Sequence, residues 1–175
     1  MKTQTLILFC CLLIVAAFSQ SSYAQGVARN ISTGNRICGY RLLTGSGVAP
    51  VNTENQAKKI LNEVMDAAEM LSGTIEIRAA DVGNAFACEN DEGNGAIKRY
   101  ILYTPSWLND LIREIGTDWT ARAILAHEVG HHKKAHSMNK ETCNSKFEAE
   151  ADEVAGAILK KMGATLREAK LLLPK

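Results

Sequence analysis

The sequence lacks a second long apolar run, an excess of either charge sign, internal repeats and low-complexity tracts. Its longest apolar stretch, Leu6 to Phe18, is 13 residues, short of the roughly 20 that cross a bilayer, so a polytopic membrane protein is excluded. Lys+Arg number 20 against 19 Asp+Glu. Once Lys2 is set aside the balance is even, which gives no global pull towards phosphates or anionic lipid, and no nucleic-acid partner is expected. With 175 residues, 46% of them hydrophobic, and no interdomain linker, one compact domain is the expectation.

What is present begins with an export signature. Lys2, the apolar run and Ser22-Tyr23-Ala24 follow the order of a cleaved signal peptide. We therefore expect a signal over 1–24 and a mature chain from Gln25, exported to a periplasm or secreted, with no stable membrane insertion after cleavage. Cys10 and Cys11 leave with it, and Cys38, Cys88 and Cys143 remain. One disulfide and one spare thiol are expected, with the pairing open. Cys38 as an inhibitory thiolate is the lesser alternative.

Residues 25–50 show no sustained period and read as an irregular lead-in with one short strand near Ile37 to Leu43; the domain proper is assigned to 51–175. From Asn55 to Leu71 the apolar positions Ala57, Ile60, Leu61, Val64, Ala68 and Leu71 recur at three and four, an amphipathic core helix ended by Gly73. Thr74 to Ala79, Asn84 to Cys88 and Ala96 to Thr104 read as strands of a small, largely antiparallel sheet, the last two joined by a polar loop over Glu89 to Gly95. Thr104-Pro105 starts a helix that buries Trp107, Leu108, Leu111 and Ile112 and ends at Gly116. A third helix, capped by Thr117 or Asp118, runs from Trp119 to about Ala135. A last one runs from about Ser145 to Met162 and stops at Gly163.

All four histidines lie between 127 and 136. In His127-Glu128-Val129-Gly130-His131 the two histidines are four apart, about 40° of rotation on a helix, so they project side by side and can share one Zn²⁺. Glu128, about 100° round, stands beside the metal, where a general base takes a proton from water. Two histidines are not enough. The extension that adds a third histidine would need glycine at 134 and histidine at 137, where Lys134 and Ser137 stand, and on a continuing helix His136 points about 160° away. The final helix supplies an acid: Glu148 lies about 60° from the centre of the stripe formed by Phe147, Ala151, Val154, Ala155, Ile158, Leu159 and Met162. Asp152, one turn on, can hold the free ring N–H of a ligating histidine. Glu150 and Glu153 read as solvated, Lys133 and Lys134 as a helix end complementing the dipole, and His132 as cleft rim or surface.

The run His127-Glu-Val-Gly-His131-His132 followed by Glu148-Ala-Glu-Ala-Asp152 resembles the paired signatures of gluzincin metalloproteases of the HtpX and CAAX prenyl endopeptidase family. The resemblance implies Glu148 as third zinc ligand. Asn84-Ala85-Phe86-Ala87 is similar to a family strand beside the cleft, and Arg99 to Thr104 to the strand after it. The family's membrane-spanning helices have no counterpart here, so its membrane-embedded substrates do not carry over. The expectation is an α+β zincin-like domain in which one Zn²⁺, held by His127, His131 and Glu148, supplies an activated water to Glu128 for hydrolysis of peptide or unfolded-protein substrates. Asn84, Ala85, Phe86 and Ala87 are expected to align an extended substrate by β-addition. The rival expectation is an exported zinc-binding or interaction module whose protease site is latent or inactive, for which Glu128 would have no use.

Overall fold

In the computed structural model, which describes residues 36–43, 51–93, 95–136 and 145–170, the chain forms an α+β domain. The expected signal peptide, its expected junction at Gln25, and Cys143 lie outside the described residues. The first elements are two short antiparallel strands, β1 (Arg36–Ile37) and β2 (Tyr40–Arg41). Cys38 and Gly39 between them both have positive φ, 50° and 79°, the two-residue turn whose twist suits a hairpin. The single strand expected here is therefore a hairpin.

Helix α1 (Val51–Ala67) begins one turn before Asn55. It also ends earlier than its apolar pattern suggests. Glu69 takes a left-handed φ of 58°, and the Met70 N–H reaches back to Met65 C=O at 2.9 Å, closing the helix as a Schellman-type cap without glycine. Lys133 donates to the Ala68 carbonyl at the same end. Leu71, expected to finish the buried stripe, is instead 79% exposed.

The main sheet contains β3 (Ile75–Ala79), β4 (Ala85–Asp91) and β5 (Ile97–Tyr103) in the order β3-β5-β4. β4 and β5 are antiparallel, with Ala85 opposite Tyr103 and Asp91 opposite Ile97. β3 and β5 are parallel, with Ile75 opposite Arg99. β4 continues past Cys88 to Asp91, which shortens the connecting loop. The Thr104 hydroxyl fixes the β3–β4 connection, accepting from the Val82 and Gly83 N–H groups and donating to Ala80 C=O.

Helices α2 (Pro105–Ile115), α3 (Trp119–Lys133) and α4 (Ser145–Lys161) follow. Gly116 closes α2 at φ 80°. A short α5 (Leu166–Ala169) has a capping box between Thr165 and Glu168 that sequence periodicity did not announce. α3 is central, buried on almost every side from Thr120 to His132. The small residues Ala121, Ala123, Ala126 and Gly130 let its neighbours approach it. One sheet face contributes Ile75, Ile77, Ala85, Ile101 and Tyr103 to a core shared with α1, α3 and α4. Cys88, Tyr100 and Leu102 on the opposite face pack under the N-terminal hairpin. A Cys38–Cys88 disulfide ties hairpin to sheet, and Tyr40 meets Phe86 edge to face at 5.8 Å. The disulfide also removes Cys38 as a free inhibitory thiolate.

Candidate metal centre

His127 and His131 lie in the C-terminal half of α3, with Glu148 and Asp152 in the first two turns of α4. Gly130 is what lets the two helices meet. A Cβ built there would fall 2.7 Å from Ala151 O and 3.0 Å from Ala151 Cα, so any larger residue would hold α4 away from the histidines.

At this crossing the ligand-type atoms converge. His127 Nε2 lies 3.1 Å from His131 Nε2 and 3.2 Å from Glu148 Oε2, while His131 Nε2 lies 3.8 Å from Glu148 Oε1. Atoms sharing one small ion at about 2.1 Å stand roughly 3 to 3.5 Å apart, so two imidazoles and a carboxylate placed this way fit a metal. Among the described residues these three are a grouping able to hold an ion. Asp152 Oδ1 is 2.8 Å from His127 Nδ1, so this carboxylate accepts a hydrogen bond from Nδ1–H, which keeps the proton there and leaves the Nε2 lone pair facing the centre. Burial, reinforced by the neighbouring His127, pushes the pKa of His131 down to about 4. It is therefore neutral near pH 7, the form that can ligate.

Glu128 is 8% exposed and points from α3 towards the sheet, where its Oε2 accepts the Ala87 N–H at 2.7 Å. Burial raises its pKa, against the opposing pull of His127 and of that amide. The Thr104 N–H bond to Asn84 C=O sets the ladder parity of β4, so the backbone groups of Ala85 and Ala87 point away from β5, towards this site. β4 is thus an edge strand, as its expected role requires, but it is not exposed. Ala85 and Ala87 are 9% and 0% accessible, and Phe86 turns to the other face under the hairpin.

Three expectations need correction. The His132 side chain is neither rim nor surface: it is 5% exposed and its Nε2 lies 3.0 Å from Tyr100 O, joining α3 to β5. His136 does not point away, because Ala135 adopts φ 52° and folds the chain back, bringing His136 Nδ1 to 3.0 Å from His131 Nδ1. Glu150 is no free solvated acid, since its Oε2 lies 3.0 Å from His136 Nε2, a bond that holds its carboxyl below the usual range. Helical extrapolation past Lys133 concealed both residues. No sequence signal marks an alanine about to turn left-handed.

A model of the peptidase family M48 matches residues 52–145. The chain belongs to that family. The match covers more than half of the chain and includes the His127 to His131 motif, so this is a member of a metallopeptidase family. It ends three residues before Glu148, so the acids of α4 are placed by the geometry alone. No curated protein and no solved structure matches.

Proposed function

We propose that this M48 member is an exported zinc-dependent endopeptidase of gluzincin type, acting on peptide or unfolded-protein substrates. The observation that carries the proposal is the meeting of His127 Nε2, His131 Nε2 and the Glu148 carboxylate within 4.8 Å of one another, with Glu128 beside them. Two imidazoles and one carboxylate leave a fourth position open, the donor set of a catalytic rather than a structural zinc. When bound there, zinc would lower the pKa of water towards about 7 and polarise a carbonyl.

The protein's own groups perform the proton transfers. Glu128, whose pKa burial raises, takes a proton from the attacking water and passes it to the leaving nitrogen. Asp152 holds the ring of His127, and Gly130 holds the distance between the helices. A peptide pairing with the β4 edge would exchange the Ala87 N–H···Glu128 bond for one to its own carbonyl, freeing the Glu128 carboxylate for the water. A complex placing the peptide away from β4 would remove that element.

Export is supported by the N-terminal pattern and by the Cys38–Cys88 disulfide, which persists in oxidising compartments. Among the described residues no helix is long and apolar enough to cross a membrane. Cleavage of an unfolded protein by the wild type and by Glu128→Gln is the test. Wild type is expected to cleave and Glu128→Gln to retain metal without cleaving. Equal cleavage by both would refute the proposal. Zinc content of Glu148→Ala, expected to fall to background, tests the ligand set without a substrate.

A further inference from the structure

His131 has two ring nitrogens and only one faces the centre. The other, Nδ1, lies 3.0 Å from Nδ1 of His136. His136 in turn places Nε2 3.0 Å from Glu150 Oε2. The His136 side chain is 3% exposed, and its ring stacks on Phe147 at 4.4 Å between centroids and 11° between planes. A buried ring held on one face and at both nitrogens has little freedom to turn. Its backbone is fixed as well, with the His136 N–H donating to His131 C=O at 3.1 Å.

The protons along this chain are determined by its end. An ionised carboxylate only accepts, so His136 carries its proton on Nε2 and donates it to Glu150. A neutral imidazole protonated on Nε2 has its lone pair on Nδ1. With His136 in that neutral form, the two facing Nδ1 atoms share one hydrogen, and it belongs to His131. His131 is left with a bare Nε2 directed at His127 Nε2 and Glu148. We infer that His136 and Glu150 form a relay that fixes His131 in the Nδ1–H tautomer, doing through one intervening ring what Asp152 does directly for His127. They are positioning residues, and the inference rests on the reading that His131 ligates a metal.

The test is metal affinity together with tautomer state in the full-length protein. Zinc and cobalt are titrated against a competing chelator in wild type, His136→Phe, His136→Gln and Glu150→Gln. Phenylalanine keeps the stacking on Phe147 but offers no acceptor, and its affinity is expected to fall about 10- to 100-fold, with an altered cobalt d–d spectrum. Glutamine offers a carbonyl to His131 and an amide to Glu150, so His136→Gln is expected to recover most of that loss. Glu150→Gln, at a side chain 33% exposed where folding is not at risk, is expected to lose roughly tenfold. Long-range ¹H–¹⁵N NMR of the metal-free protein is expected to show the His131 proton on Nδ1 in wild type and to lose that preference in His136→Phe. Wild-type affinity, spectrum and tautomer in both His136→Phe and Glu150→Gln would overturn the relay while leaving the metal site standing. A wild type that binds neither metal would overturn the site and the relay with it.

Discussion

Replacing Gly130 by alanine should damage the site more than the fold. In an exposed helix the change from glycine to alanine stabilises by about 1 kcal/mol. Here the new methyl would lie 2.7 Å from Ala151 O, 3.0 Å from its Cα and 3.3 Å from its carbonyl carbon, all backbone atoms that no rotamer can move. Ordinary C···O contact begins near 3.3 Å, so α4 must retreat by about 0.6 Å. Overpacking of this kind costs about 1 to 3 kcal/mol, which the gain in helix propensity partly offsets. The net loss is therefore expected to be between nothing and about 2 kcal/mol. A metal site tolerates only about 0.2 Å of error in its ligand distances. Because Glu148 and Asp152 retreat with α4, zinc affinity and proteolysis should fall far more than stability. Gly156 on the same helix supplies the control, since a Cβ there meets nothing within 4 Å. Gly156→Ala is expected to raise the midpoint of thermal unfolding by roughly 2 to 4 °C and leave zinc binding unchanged. Thermal melts of chelator-treated protein and chelator competition measure the two effects separately. If Gly130→Ala gained stability like Gly156→Ala and bound zinc like wild type, close helix contact would not be what builds the site.

Asp152→Ala removes the acceptor of the His127 Nδ1 proton, 2.8 Å away, and should weaken zinc binding about 10- to 100-fold; a change below twofold by chelator competition would refute its role. Breaking the Cys38–Cys88 disulfide, which closes a sequence separation of 50, should cost about 4 kcal/mol by chain entropy. Urea unfolding of Cys38→Ser/Cys88→Ser measures that loss, and less than about 1 kcal/mol would contradict a hairpin tied down by the bridge. Acid should also unfold the metal-free protein. His131, at 6.5 when unfolded and about 4 when folded, binds its proton more readily in the unfolded chain. Its contribution is complete above about pH 6.5 and lost as pH falls towards about 4, amounting to about 3 kcal/mol. The lowered pKa of buried His132 acts in the same direction, while the raised pKa of Glu128 opposes both. The urea midpoint of stripped protein is expected to drop between pH 7 and pH 5, more steeply in Glu128→Gln. A flat or rising midpoint in that variant would refute the assignment.

Local signals forecast what local forces decide. Pro105 at the first helical position, Gly116 and Gly163 at positive φ, and the three-and-four spacing in α4 each act within one or two turns, and the elements follow them closely. Glu148 and Asp152 were legible for the same reason, their direction on a regular helix being fixed by 100° per residue. The same arithmetic failed at His136, because it assumes a helix that Ala135 ends. It failed at Leu71, because Glu69 closes α1 first. Partnership across the fold was the other blind spot. Three cysteines admit three pairings, and only the hairpin's seat over β4 selects Cys38 with Cys88. The insertion of β5 between β3 and β4, and the Ala87 amide that meets Glu128, likewise depend on contacts distant in sequence.

One contact governs most of the site's geometry. Ala151, fully buried, faces Gly130 across the helix crossing, and rotation about α4 then settles where the acids lie. Glu148 and Asp152 fall about 60° and 100° to one side of Ala151, and Glu150 about 100° to the other. His131 stands between these flanks, with Glu148 near its Nε2 and the His136–Glu150 pair at its Nδ1. Three carboxylates spaced two residues apart can therefore serve two imidazoles from opposite sides only if the helix carrying them rests directly on the glycine of the motif. Val129-Gly130, between Glu128 and His131, is thus a spacer in sequence but a seat in space. The α3–α4 separation sets how closely Glu148 and Asp152 approach His127 and His131.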